Sequence, residues 1–181
     1  MSTPTRSNPP PATELLIDDH RRVDALFDAF DEADHADEQA EIVTRICREL
    51  TVHAELEEKL LYPASRDMLR GDDQDLVDEA FVEHASLKGL MMRLDGMKPS
   101  DALFKAYVTV LKEYVQHHVK EEEKEYFPKL RGSDLDLRAV GARMLTLKQE
   151  LTSALSKLPV TRGKVTAKLL PGPPLEQRAA A

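Results

Sequence analysis

The chain carries one helical hairpin written twice. Sliding the sequence by 65 positions lays residues 51–63 on 116–128 and pairs His53 with His118, Glu57 with Glu122, Glu58 with Glu123, Tyr62 with Phe127 and Pro63 with Pro128. A slide of 64 lays Asp19-His20 on Glu83-His84, and Leu26, Phe27 and Phe30 on Leu90, Met91 and Leu94. Each copy therefore contributes a histidine, then His-x-x-x-Glu. Any fold for this chain has to account for that pattern.

The hydrophobic periodicity is helical nearly throughout. A first helix is expected from an N-cap at Thr13 to about Ala33, with Leu16, His20, Val23, Phe27 and Phe30 on one stripe. The polar turn Asp34-His35-Ala36-Asp37 separates it from a second helix, reaching the mid-60s, with stripe Ile42, Ile46, Glu49, His53, Glu57 and Leu60. Pro63 predicts a kink or stop near its end. Gly71-Asp72-Asp73 turns the chain into a third helix ending near Leu94, with stripe Val77, Phe81, His84, Lys88 and Met91. Ser100 or Asp101 is expected to cap a fourth, with stripe Phe104, Val108, Leu111, Val115, His118, Glu122 and Glu125, closed by Gly132. A fifth helix, from about residue 134 to 156, has Leu137, Val140, Met144, Leu147 and Leu151 as its apolar face and is expected outside the bundle, across the repeat pair. The only β-rich run, residues 107–111, sits inside a helical stripe. The expected fold is all-α, an antiparallel up-down-up-down four-helix bundle plus a fifth C-terminal helix. Residues 1–12 read as a flexible N-terminal segment, 13–157 as the bundle with its additional helix, and 158–181 as a Pro-rich C-terminal tail without assigned function.

Composition narrows the partners. A chain of 181 residues without a composition break is a one-domain chain by expectation, and 41% hydrophobic residues suffice for a core. The net charge of −8 argues against nucleic acid and anionic membrane, which both favour basic surfaces. There is no apolar run near the ~18 residues of a membrane span, and no signal-peptide-like start. Cys47 is the sole cysteine, so no internal disulfide can form. A reducing cytoplasm is the expected setting.

The histidines meet by arithmetic. In an antiparallel pair, residues at one height have their midpoint in the connecting turn. For His20 and His53 that midpoint falls at Ala36–Asp37; for His53 and Glu57 against His84, close to Gly71; for His84 and His118, at Ser100–Asp101. Four histidines, one per helix, are thereby placed in one layer. Glu57 and Glu122 stand four residues beyond their histidines, only ~40° around the helix, and join the same layer.

A lone histidine on an apolar stripe is ordinarily a hydrogen-bonded core residue, and a lone glutamate there a solvated flank. Two carboxylates buried among four imidazoles are different, because their desolvation needs a compensating cation. The candidate metal ligands are His20, His53, Glu57, His84, His118 and Glu122. The set exceeds what one tetrahedral zinc takes. It suits two first-row ions with bridging carboxylates, leaving positions open for dioxygen, peroxide or nitric oxide. By helical angle, His117 faces outward or sideways, His35 lies in a turn, and Glu58 and Glu123 are solvated or support ligands rather than being ligands. Tyr126, four residues past Glu122, either donates to that carboxylate or simply packs. Met91, Met92 and Met97 read as core filler.

Over residues 14–151 the sequence resembles the hemerythrin-like, or HHE cation-binding, family. The motif order His20, His53-x-x-x-Glu57, His84, His118-x-x-x-Glu122 is the family's, and Tyr62-Pro63 and Phe127-Pro128 match its aromatic-Pro pair. The resemblance implies a four-helix bundle holding two iron ions in a non-haem, oxo- or hydroxo-bridged centre. Oxygen carriers of the family have a further histidine where this chain has Lys88, and an aspartate where it has Glu123. The four-His, two-Glu set is more similar to the bacterial HHE subgroup and to the catalytic half of iron–sulfur-centre repair proteins. The implied function is binding of, or reaction with, peroxide, O2 or NO, as in a di-iron oxidoreductase. An O2, NO or iron sensor, or an iron-handling module without turnover, is the alternative, and a structural protein with a zinc-filled or empty site is a further rival.

Overall fold

The computed structural model describes residues 8–156; residues 1–7 and the anticipated tail at 158–181 lie outside the described residues. The architecture is an all-helical bundle with an additional helix. Helix α1 spans Ala12–Glu32. Helix α2 runs Ala36–Leu56, widens into a π-helical turn at Glu57–Leu61 and ends in Tyr62–Arg66. Helix α3 is Asp75–Leu94. Helix α4 runs Phe104–Glu121, widens again at Glu122–Tyr126 and ends in Phe127–Arg131. Helix α5 is Leu137–Ser156.

The two π turns were not legible from periodicity, although the prolines beside them were. In each, the N–H of the aromatic residue donates to a carbonyl five residues back, Tyr62 to Glu57 and Phe127 to Glu122. The proline that follows has no N–H to return, and its ring crowds the carbonyl one turn earlier in a regular α-helix. A wide turn just before it relieves that crowding and lets the rod continue. The turn also resets the stripe: beyond Glu122 it is Tyr126, not Glu125, that is buried. In α2 the stripe likewise runs through Leu50 rather than Glu49, which is half-exposed and within ion-pair distance of Arg22.

Two starts differ from the expected caps. Helix α1 begins behind Pro11, whose extended backbone leaves its carbonyl to accept from Glu14 N–H at 3.0 Å, so Thr13 is a buried interior residue. Helix α4 starts at Phe104, because Asp101 turns back to accept from Lys98 N–H at 2.8 Å and holds the preceding loop instead of the helix. Helix α5 is capped as N-terminal aspartates allow, Asp136 Oδ1 accepting from Arg138 and Ala139 N–H at 3.1 and 2.9 Å.

The apolar interior is in two parts. One cluster, including Leu16, Leu56, Leu61, Tyr62, Val77, Phe127 and Leu130, fills the end that α5 covers with Val140, Met144, Leu151 and Leu155. The other, including Val23, Phe27, Ile46, Leu87, Met91, Leu94, Phe104 and Leu111, fills the opposite end. Residues 20, 53, 84 and 118 fall between them, so a polar layer crosses the core. Helix α5 lies against α1 and α2 of the first hairpin rather than across both repeats. Its partner surface there extends to the chain's start: Arg138 donates to Pro9 O at 2.9 Å.

Gly141 makes that contact possible. A Cβ at this position would fall 2.1 Å from the Pro10 carbonyl oxygen and 3.0 Å from Ala12 N, both backbone atoms. Gly141→Ala raises helix propensity by about 1 kcal/mol, yet overpacking of this kind costs about 1–3 kcal/mol. The variant is expected to melt at a lower temperature than the parent in thermal unfolding of the metal-free protein; a higher melting temperature would mean the N-terminal segment lifts away freely.

Candidate metal centre

The six residues singled out above converge. His20 (α1), His53 (α2), His84 (α3) and His118 (α4) are all buried, as are Glu57 and Glu122, which open the two π turns. The Nε2 atoms point inward: His20 and His53 are 3.3 Å apart, His84 and His118 3.0 Å. Each carboxylate reaches across the repeat. Glu57 Oε2 lies 3.1 Å from His53 Nε2 and 3.4 Å from His84 Nε2, while Glu122 Oε2 lies 3.3 Å from His20 Nε2 and 3.5 Å from His118 Nε2. Two ligand-type groups result, His20–His53–Glu122 and His84–His118–Glu57. Each takes two imidazoles from one hairpin and its carboxylate from the other.

The outward nitrogens explain why the inner ones face each other. His20 Nδ1 is 2.9 Å from Glu123, His84 Nδ1 is 3.0 Å from Glu58, and His118 Nδ1 is 2.7 Å from Glu83. An ionised carboxylate only accepts, so each Nδ1 carries the hydrogen and the Nε2 lone pair is left pointing in. Three inward acceptors, the Nε2 of His53 and two inward carboxylates then surround one small region. Neither oxygen of Glu57 accepts a hydrogen bond, nor does Oε2 of Glu122. Buried carboxylate oxygens without donors are costly unless a cation or protons fill the gap. The donor set, imidazole nitrogen and carboxylate oxygen, is one that first-row metal ions take.

His53 is the exception in the outer ring. Asp19 Oδ2 stays 3.8 Å from its Nδ1, which has no hydrogen-bond partner, because Asp19 is drawn off by Arg22 and by Lys148 of α5. Burial and the neighbouring Arg22 charge lower the Lys148 ammonium to about 8. The outer carboxylates thus repeat as the sequence does, Asp19 with Glu83 and Glu58 with Glu123. The pairing Asp19-His20 with Glu83-His84 was the available signal for two of them. Glu58 and Glu123 sit where the angular argument put them, each accepting from a histidine of the opposite hairpin.

Lys88 occupies a buried place on α3 and donates to both oxygens of Glu58, at 2.7 and 2.8 Å. It also lines a cavity of about 20 Å³ whose floor is the four histidines and whose walls include Val23, Leu50, Leu87, Met91 and Val115. On the other side of the layer, Tyr62 OH is 3.3 Å from His84 Nε2 and 3.5 Å from Glu122 Oε1. Burial, with Glu57 and Glu122 nearby, raises its pKa far above the usual phenol range and keeps it a donor. Tyr126 does not take that role; it donates to Ser65 Oγ at 2.7 Å. The π turn is the reason. At ~100° per residue a fifth residue would stand ~140° away from the first, whereas the wide turn brings it back over the layer. Tyr62 stands fifth from Glu57, and Phe127, fifth from Glu122, stacks on His20 at 6.0 Å. His117, as expected from its angle, is largely exposed at the surface, and His35 is an exposed residue preceding α2.

A helical bundle with an inward histidine from each of four helices and inward glutamates from two of them defines the class, and the comparisons agree with it. Residues 12–130 match the family described as Hemerythrin HHE cation binding domain, and the chain belongs to that family. A DNA nickase of Nostoc sp. (strain PCC 7120) is 34% identical over 121 residues, 66% of this chain and 33% of its own length. An uncharacterized hemerythrin-like protein of Schizosaccharomyces pombe is 24% identical over 116 residues, 64% of this chain and 57% of its own length. The chain thus spans between a third and just over half of these curated relatives. A crystal structure of a hemerythrin HHE cation binding domain-containing protein from Mycobacterium kansasii superposes with a TM-score of 0.72 at 25% identity, covering 89% of this chain and 99% of that one. The family's domain binds metal cations. No helix among the described residues is long and apolar enough to cross a membrane.

Without metal, protons take the cation's place. Burial works against the His84 imidazolium, but Glu57 and Glu58 outweigh it and carry its pKa from 6.5 up to about 9. Burial likewise opposes a charged Glu57, and His53 and His84 outweigh it, holding the carboxyl well below 4.5. A raised histidine pKa stabilises the fold fully below the unfolded value and ceases to do so as pH climbs through the folded one. Chelator-treated protein should therefore lose stability between pH 6.5 and 9, by at most about 3 kcal/mol. Metal displaces those protons, so the loaded protein should lack this loss. Urea unfolding across the window, with and without chelator, checks it; a flat profile for chelated protein would contradict the proton-filled layer.

Proposed function

We propose that His20, His53, Glu57, His84, His118 and Glu122 hold two iron ions, and that the centre binds or reacts with small oxidants or diatomic gases: O2, peroxide or nitric oxide. The carrying observation is the pair of buried carboxylates whose inward oxygens lack hydrogen-bond donors while each approaches one histidine of either hairpin. One carboxylate that faces both groups is what a bridge requires. Iron in such a site supplies redox electrons and coordination positions that the six side chains do not fill.

The chain's own residues do the rest. The outward carboxylates fix the imidazole tautomers and keep the inward lone pairs aimed. Tyr62 OH offers a hydrogen bond at the level of His84 and Glu122. The roughly 20 Å³ cavity has room for one molecule of about water's size. Its leucine, valine and methionine walls keep out bulk water, and Lys88 supplies a positive charge at the wall beside the histidines. That combination supports a two-atom ligand over an organic substrate.

A sensor or iron-handling role without turnover has one observation in its favour. Lys148 links α5 to Asp19, the carboxylate beside His53, so a change at that histidine reaches a helix outside the bundle. Continuous peroxide consumption by the iron-loaded protein decides between the two readings. Nucleic acid stays outside the proposal on the charge argument, the nickase relative being matched over only a third of its length.

Protein reconstituted with ferrous salt and then exposed to air is expected to hold two irons per chain, with near-ultraviolet charge-transfer absorption. Glu122→Ala should lower iron content sharply and lower the melting temperature of the loaded protein, since metal bound only by the folded state adds to folding free energy. Glu121→Ala, on an outer face, should keep the iron content and change stability by no more than ~0.5 kcal/mol. A single tightly held zinc with no iron uptake would sink the di-iron reading.

A further inference from the structure

The four outer carboxylates are not alike in what lies beyond them. Glu58 is closed off by Lys88, Glu123 by Arg21 at 2.6 Å, and Asp19 by Arg22 and Lys148. A cation approaching the layer along any of those directions meets a positive charge first. Glu83 is the one that faces acid. Its Oε2 holds His118 Nδ1, and its Oε1 turns outward to His117 Nε2 at 3.6 Å, which is itself 3.2 Å from Glu121 Oε1. One imidazole nitrogen and two carboxylate oxygens thus meet at the surface, all within 4.8 Å of one another.

This cluster sits in a groove of about 610 Å³ between α3 and α4, lined also by Asp75, Asp78 and Glu79. Arg66 pairs with Asp78 at the rim. Beneath the groove lies a chamber of about 10 Å³, which shares Glu79, Glu83 and Glu121 with it and is walled on the inside by His118 and Glu122. Glu122 is 2% exposed, and its Oε2 has no hydrogen-bond donor. Surface cluster and chamber thus share Glu83 and Glu121, and the chamber reaches the buried Glu122.

We propose that Glu83, His117 and Glu121 form a surface capture site for ferrous ions, which supplies the buried centre through the chamber beside Glu83. The inference rests on the di-iron reading above. The ligand chemistry matches the task. Three protein donors leave about half of a six-coordinate ferrous ion's hydration in place, so binding is weak and exchangeable, while the buried groups offer more imidazole. An acidic groove over a low-dielectric wall concentrates divalent cations and raises their rate of arrival. Glu83, with one oxygen on each side, joins the two sites.

Capture alters the rate of filling and leaves the final occupancy alone. His117→Ala and Glu121→Gln are expected to take up ferrous iron about tenfold more slowly than the parent at limiting metal and low salt, reaching the same iron per chain at the end. His35→Ala, at the far end of the bundle, should load like the parent. Equal rates in all the proteins would overturn the capture site. A fall in final iron content together with the rate would place His117 and Glu121 in the centre itself, which also overturns it. A second arm does not depend on the centre. In the double variant Glu57→Gln/Glu122→Gln, added Mn2+ should broaden the His117 ring resonances, and Glu121→Gln on that background should abolish the effect. Absence of broadening counts against the surface site. A parent protein that takes up no iron at all would refute the di-iron reading, while the Mn2+ arm still judges the cluster on its own.

Discussion

Burial of Glu57 and Glu122 is the constraint to which the rest of this molecule is fitted. Two carboxylates inside a helical bundle are a heavy desolvation load. The chain does not relieve it with donors, since three of the four oxygens have none. It surrounds them instead with four imidazoles, three of which have their outward hydrogens held by Glu58, Glu83 and Glu123. Charge then alternates outward in shells: inner carboxylates, histidines, outer carboxylates, and finally Lys88, Arg21, Arg22 and Lys148. Such a layer is self-consistent only around positive charge, whether metal or protons. The apolar core divides into two clusters on either side of it.

Duplication gave the layer its symmetry, and a few substitutions removed it. Carboxylates cross between hairpins, Glu57 and Glu58 reaching His84, Glu122 and Glu123 reaching His20. Within that twofold scheme Tyr62 and Phe127 occupy equivalent places, and only the first carries a hydroxyl to the centre. Lys88 faces the cavity from the second hairpin alone. Helix α5 packs mainly on the first hairpin, through the apolar face of Val140, Met144, Leu151 and Leu155 and through the Lys148–Asp19 pair. The two His–His–Glu groups are thus unequal in their surroundings even though their residue types match. Such differences in hydrogen bonding and nearby charge are of the kind that tunes a metal in a His/Glu site of this type.

The π turns serve both halves in the same way. Each begins at the buried glutamate of the layer, ahead of a proline, and each swings the residue five positions on back over the layer. A proline that would otherwise interrupt a helix here fixes where the helix widens. The wide turn sets the carboxylate and the aromatic residue against a shared histidine, His84 for Glu57 and Tyr62 and His20 for Glu122 and Phe127.

What the sequence alone determined is whatever depends on angle along a single helix and on the repeat. Helical stripes, the count of helices, the common layer of His20, His53, His84 and His118 and the outward turn of His117 all follow from ~100° per residue and from turn midpoints. The supporting roles open to Glu58 and Glu123 follow from the same angles. Tertiary structure decided what depends on distances across helices or on a departure from α geometry. It fixed which carboxylate faces which histidine pair, that Asp19 is drawn from His53 by Lys148, and that Lys88 ties down Glu58 at the cavity wall. It placed α5 on one hairpin because Gly141 admits the backbone of residues 10–12 there. It also exchanged Tyr126 for Tyr62 at the centre, since a π turn changes the register of everything after it and hydrophobic spacing does not report the turn in advance. Periodicity encodes direction within an element; only packing fixes separation between elements.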